Sequence, residues 1–202
     1  MENAYLIVGL GNPGADYART RHNAGFVVVE HLAVRWHAAW NFEKKFQARI
    51  ARAERDGRRV LLAQPQTYMN ASGDAVGSVK EFFRVPLPHL LVVVDDADLP
   101  LGELRLRPGG SSGGHHGLES IERHLGTRDY ARLRVGIGRQ NDAREITGHV
   151  LGRFSSTEAA LADKVLTVAT DQAETWLAAG IQKAMSQFNG IIKDSANEGK
   201  AQ

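Results

Sequence analysis

The sequence predicts a single α/β domain, a twisted mixed β-sheet surrounded by helices. Three observations lead there. Short apolar runs alternate with stretches of helical spacing along most of the chain. The run LLVVVDD at 90–96 is apolar almost throughout, as a strand covered on both faces must be. Two other runs flank Asp56-Gly57, a hairpin signal that inserts one antiparallel pair into the alternation. A chain of 202 residues can build one sizeable core and is marginal for two. The domain is expected over 1–190, followed by a polar tail over 191–202.

The elements follow in order. AYLIVGL reads as a strand ended by glycines. NAGFVVVEHLAVRWHA has Phe26, Val29, Leu32, Ala33 and Trp36 at helical spacing. FQARIARAE and RRVLLAQP are the two arms of the hairpin. ASGDAVGSVKEFFRV reads as a helix with Val76, Val79, Phe82 and Phe83 on its buried side. After LLVVVDD, a Leu-Pro turn leads into the strand GELRLRP. A glycine-rich stretch, PGGSSGG, precedes the short helix HGLESIERHLG. ARLRVGIGR is a further strand. A long helix begins near Ser156 and runs through Trp176, and another piece runs from Ala179 to about Phe188.

Composition narrows the function. Hydrophobic residues make up 43% and charged residues 24%, as in ordinary soluble globular proteins. With 0 cysteines there is no disulfide scaffold, thiolate zinc site or cysteine nucleophile, and a reducing cytoplasm fits. No apolar stretch reaches the roughly 20 residues of a membrane helix. MENAYLIVGLGNPG reads as a first strand and not as a signal peptide. A net charge of +2 with a pI near 9.0 tolerates nucleic acid without demanding it. Arg105 and Arg107 alternate on one strand, and Arg132 and Arg134 on another, followed by Arg139. Period-two spacing puts each pair on one face, either a solvated strand face or a phosphate clamp.

Polar residues stand where strands end and loops begin. They are Asn12 in GLGNPG, His22 and Asn23 in RTRHNAGF, Asn70 in QTYMNASG, Asp95 in LLVVVDD, and His115 and His116 after the glycines. Such positions are where a rigid scaffold presents chemistry. One histidine, a few amides and a carboxylate are the parts of a water-activating hydrolase. His22, flanked by Arg21 and Asn23 before an apolar helix, is the candidate base, with Asp95 as the partner that fixes its tautomer. Asn12 and Asn70 are candidate donors to a developing oxyanion or a peptide carbonyl. His31, His37, His89 and His124 read as ordinary surface or core histidines.

Three motif matches carry less. GLGNPG fits G-x-G-x-x-G, with Glu30 in the place of a ribose-binding acid. However, Pro13 removes a donor and no helical stripe follows, so the loop serves better to hold Asn12. LLVVVDD resembles a metal-bearing NTPase strand, but the chain has no G-x-x-x-x-G-K-[ST]. No ligand spacing supports an ion on Asp95, Asp96, Asp98 and a histidine, and Asp96 and Asp98 read as solvated turn residues. Gly109-Gly110-Ser111-Ser112-Gly113 fits the serine-hydrolase elbow, with Asp142 and His149 in the right order. Yet glycines so dense around two serines make a mobile loop rather than a strained turn.

GLGNPG, YARTRHNAGF, TYMNASG, VVVDDADLPLG, GGSSGGHHGLESI and RLRVGIGR, in this order and spacing, resemble bacterial-type peptidyl-tRNA hydrolase over nearly the whole chain. The resemblance implies a cytoplasmic monomer without metal or other cofactor. Its activity would be to free tRNA from peptidyl-tRNA released by stalled ribosomes. By the same resemblance His22 is the base, Asp95 its carboxylate, and Asn12 the residue that separates blocked from free aminoacyl ends. Tyr17, Tyr68, Met69 and Asn70 fall at substrate-binding positions, and Arg105, Arg107 and Arg134 face tRNA phosphate, so affinity should fall with salt. His116 stands where the family often has asparagine, which should alter the pH dependence without abolishing activity. A catalytically silent RNA-binding relative and a serine hydrolase using Ser111 are the rival readings.

Overall fold

A computed structural model describes residues 4–18, 20–138 and 146–192. Arg139, Asp142 and the tail from 193 onward lie outside them. The order is β1 (Tyr5–Gly9), α1 (Ala24–Arg35), β2 (Trp40–Glu43), β3 (Ala48–Arg55), β4 (Arg58–Pro65), α2 (Ser72–Phe82) and β5 (Leu90–Asp96). Then come β6 (Glu103–Arg107), α3 (His116–Leu125), β7 (Ala131–Gly136), α4 (Ile146–Val150), α5 (Ser156–Ala179), α6 (Ile181–Phe188) and β8 (Gly190–Ile191).

The strands form one mixed sheet in the order β2-β3-β4-β1-β5-β7-β6-β8. β1 runs parallel to β4 and β5, and β5 parallel to β7. The remaining pairs are antiparallel. Strand alternation sorts the core into two layers. Ile7, Leu91, Val93, Leu133 and Val135 pack under α1 and α5. Leu6, Val8, Leu90, Val92 and Val94 pack under α2 and α3. The central strands are therefore apolar on both sides, which is why LLVVVDD carries no polar residue until its end. At the hairpin, Asp56 and Gly57 take φ of 51° and 73°, the left-handed pair that a two-residue turn requires.

Several details depart from the sequence pattern. Phe82 is 60% exposed, and Lys45 Nζ lies 3.7 Å from its ring centroid. The buried stripe of α2 is Ser72, Gly73, Ala75, Val76, Gly77 and Val79. Small residues suffice there because α3 comes close: a Cβ on Gly73 would sit 2.2 Å from the Ser120 carbonyl oxygen. In α1, Val28 is buried and Phe26 only partly so. β2 is a short edge strand too polar to signal itself. Gly190 and Ile191 pair with Leu104 and Glu103, so the sheet continues across the boundary expected at 190. Among the described residues no helix is long and apolar enough to cross a membrane.

Candidate active site

The carboxyl ends of β1 and β5 lie side by side, and α1 begins directly above them. Glycine makes that approach possible. A Cβ on Gly9 would lie 2.1 Å from the Gly25 carbonyl oxygen, and one on Gly25 would lie 2.3 Å from the Val93 carbonyl oxygen. Two of the glycines that suggested a nucleotide loop thus serve helix packing, since a Cβ on Gly11 would likewise lie 2.8 Å from the Phe26 ring. The turn Arg21–Asn23 that leads into α1 is fixed at its outer end. The Arg21 guanidinium donates to Glu158 at 2.8 and 3.1 Å and to the Ile137 carbonyl at 3.1 Å.

This seating aims His22 at Asp95. His22 Nδ1 lies 2.8 and 2.9 Å from the two Asp95 carboxylate oxygens. Asp95 is 2% exposed. Burial alone would push its carboxyl up. The neighbouring His22 imidazole and a hydrogen bond from His115 outweigh that and hold it well below the usual carboxylate range. His115 Nε2 lies 3.1 Å from Asp95 Oδ1, while its Nδ1 accepts from the Gly117 and Leu118 amides at the start of α3. A ring that accepts at Nδ1 must carry its proton on Nε2, so His115 donates to Asp95. His22 donates through Nδ1, the nitrogen that faces both carboxylate oxygens; in the neutral ring this makes Nε2 the acceptor.

Asn12 is pinned from both sides. Its backbone N–H donates to Asn23 Oδ1 at 2.9 Å, and its backbone carbonyl accepts from Asn23 Nδ2 at 3.0 Å. Its side-chain Oδ1 accepts from the Met69 amide at 2.9 Å, which leaves Nδ2 as the side chain's donor group in a residue that lines the cleft. That cleft, about 470 Å³, is lined by Asn12, His22, Tyr68, Met69, Asn70 and Asp95 and by the glycine loop through His116. Val150 and Leu151 close it from α4 and the residue beyond. Met69 is buried, Asn70 is exposed, and Tyr68 is 68% exposed at the rim. The His116 side chain is 75% exposed beside Glu119, so the histidine bonded to Asp95 is its neighbour His115. Tyr17 is half-buried in the loop after GLGNPG and does not line this cleft.

The arginines divide. Arg107 is exposed, and Arg105 bonds Glu103 at 2.8 Å. Arg134 bonds Asp96 at 3.0 Å and the loop carbonyls of Ser111 and Ser112 at 2.6 and 3.2 Å. Arg132 is 1% exposed and bonds the carbonyls of Ser111 and Arg128, each at 2.9 Å. The sequence pattern drew attention to His115 and His116 alike but gave a role only to His116, and it assigned none to Arg21 or Asp96. Period two was the available signal for Asp96, because it turns Asp96 to the face opposite Asp95. Asp96 is not a solvated turn residue: its side chain is nearly buried and accepts both Arg134 and the Asp98 amide. His149 Nε2 faces the carbonyls of Gly138 and Ile137 at 2.8 and 3.3 Å, which removes it from a Ser111 triad.

His22, Asp95 and His115 bring metal-ligand atoms within 4.8 Å of one another. Each facing ring nitrogen already points a proton at the carboxylate, where an ion about 2.0 Å from nitrogen would have to sit. The site as folded is a hydrogen-bonded triad.

A buried carboxylate–imidazole pair at the carboxyl edge of a mixed α/β sheet, opening into a cleft rimmed by amides, is the layout of a hydrolase site. The Peptidyl-tRNA hydrolase family model matches residues 6–198. The chain belongs to the peptidyl-tRNA hydrolase family, whose reaction is the hydrolysis of peptidyl-tRNA. A peptidyl-tRNA hydrolase from Gloeobacter violaceus is 46% identical over 91% of this chain and 93% of its own length. One from a Synechocystis strain is 47% identical over 91% and 95%. A crystal structure of peptidyl-tRNA hydrolase with N-propanol superposes with a TM-score of 0.90 at 38% identity, covering 96% and 98% of the two chains. The Acinetobacter baumannii enzyme gives 0.89 at 38% identity over 95% and 97%.

Proposed function

We propose that His22 Nε2 takes a proton from a water molecule, which attacks the ester carbonyl joining the peptide to the terminal ribose of tRNA. Asp95 holds the ring in the required tautomer and stabilises the imidazolium that forms. The imidazolium then returns its proton to the departing ribose oxygen. Asn70, assisted by the Asn12 amide, donates to the tetrahedral oxyanion; one such donor is worth about 2.7–4 kcal/mol. Asn12 and His116 grip the peptide backbone, while Tyr68, Met69 and, from the loop nearby, Tyr17 bound the substrate. Arg105, Arg107 and Arg134 anchor tRNA phosphate. No step calls for a metal or other cofactor. The substrate is peptidyl-tRNA released by stalled ribosomes, and the chain works in the cytoplasm as a monomer.

The double contact of His22 Nδ1 with Asp95 at 2.8 and 2.9 Å carries this reading, because it commits one ring nitrogen to the carboxylate and leaves the other uncommitted in a side chain that lines the cleft. The test is His22→Ala, assayed for peptidyl-tRNA hydrolysis and for tRNA binding. Turnover should fall by roughly 10² to 10⁴, the usual worth of a positioned base, with binding within about twofold. Full turnover would overturn the assignment.

A further inference from the structure

The four arginines of β6 and β7 share one face, because Arg105 lies across from Arg134 and Arg107 across from Arg132. Three of them already meet an acid. Arg132 lies 3.3 Å from Glu122, Arg105 2.8 Å from Glu103, and Arg134 3.0 Å from Asp96. Arg134 differs in what else it touches. Its other terminal nitrogen holds the loop carbonyls of Ser111 and Ser112. The next residues, Gly113 and Gly114, have φ of 63° and 79° and form one wall of the cleft. The loop's own bonds are weak: Gly114 N to Ser112 Oγ is 3.4 Å and His115 N to Ser112 O is 3.3 Å. The guanidinium therefore sets where that wall stands. A phosphate reaching Arg134 must compete with a carboxylate already in place.

We propose that Asp96 is a positioning residue that latches Arg134 against the glycine loop, and that a tRNA phosphate displaces Asp96 and so couples tRNA binding to the cleft wall. This rests on the reading that Arg134 meets phosphate. Buried Arg132 keeps Ser111 in place on the same carbonyl throughout, so the loop pivots but does not detach. The latch makes the charged face partly self-neutralised in the free protein, which disfavours phosphates that arrive without a peptide to fill the cleft.

The test uses the full-length chain with two probes. One is peptidyl-tRNA, and the other is an N-acetyl-aminoacyl ester of adenosine, which carries no phosphate. Asp96→Asn keeps the size of the side chain and the acceptor for the Asp98 amide but removes the competing charge. The KM for peptidyl-tRNA and the Kd for tRNA should fall by about threefold, within the range of a partly exposed ion pair. The kcat for the adenosine ester should fall by a similar factor, because the wall is less well held. Opposite signs on the two probes are what a purely structural role would not give. In an Arg134→Gln background, Asp96→Asn should leave tRNA affinity unchanged. Weaker or unaltered tRNA binding by Asp96→Asn alone overturns the latch. If Arg134→Gln itself leaves both affinity and its salt slope untouched, the phosphate reading falls too. If Arg134→Gln weakens binding while Asp96→Asn fails to tighten it, only the latch falls.

Discussion

Asp95 accepts from two imidazoles at once, and that assigns a proton to each ring. His115 is committed on both nitrogens, to Asp95 and to the first amides of α3. His22 is committed on one. Of the two rings, His22 is the one with a nitrogen left over for the proposed proton transfer, while His115 is tied between Asp95 and the start of α3. Asp95→Asn should separate these roles. The amide can donate to His22 Nδ1, which favours the tautomer with the proton on Nε2 and removes the acceptor. We expect kcat to drop by on the order of 10² to 10⁴ with KM within about threefold, measured on peptidyl-tRNA. Loss confined to KM would mean that Asp95 holds substrate and not the ring. His22 and Asp95 were legible in the sequence because one lies at the mouth of an apolar helix and the other ends an apolar strand. The split between His115 and His116 was not, since adjacent histidines differ only in which one caps the helix, and that depends on where α3 starts.

At the level of elements, the site depends on how closely α1 can sit on the sheet. The atoms nearest a Cβ on Gly25 would be the Val93 oxygen and the Leu10 nitrogen and oxygen, at 2.3, 2.5 and 2.6 Å. All are backbone atoms, in β5 or in the residue directly after β1 whose amide bonds the Val93 carbonyl at 3.0 Å, so none moves cheaply. Gly25→Ala should destabilise the fold by about 1–3 kcal/mol. It should also lower kcat in the surviving folded protein, because α1 must lift and shift the turn before it that holds His22. Urea unfolding and turnover of the refolded fraction measure the two effects, and an unchanged midpoint would count against the packing argument. The strands, the hairpin and the long helices could be read from periodicity and from Asp56-Gly57. Phe82 could not be placed, because helical spacing points it inward while Gly73 and Ala75 draw α3 close and leave the far end of α2 uncovered. β2 escaped for a related reason: an edge strand that buries little leaves little apolar trace.

Across the whole molecule, the turn holding His22 and the far helix α5 are joined by one ion pair, Arg21 with Glu158. That hydrogen bond from Arg21 is the main reason the Glu158 carboxyl is pushed down from 4.5 to about 2; the Ser155 backbone at the start of α5 adds to it. The sign of the linkage follows. A carboxyl depressed in the fold contributes stability that is fully present above its unfolded value and is lost as pH falls through its folded value. For Glu158 the window runs from about 4.5 down to about 2. Asp95, also depressed, adds to acid sensitivity in the same direction. The contribution of Glu158 is modest, since a third of its side chain meets solvent. Thermal midpoints of the wild type and Glu158→Gln, taken at pH 6.5, 4 and 2.5, separate it from the rest. The variant should melt lower at pH 6.5, and the gap should narrow steadily toward pH 2.5, where both side chains are largely uncharged in the unfolded chain. A gap that stays constant across that range would mean that Glu158 acts through the shape of the α5 cap and not through its charge on Arg21.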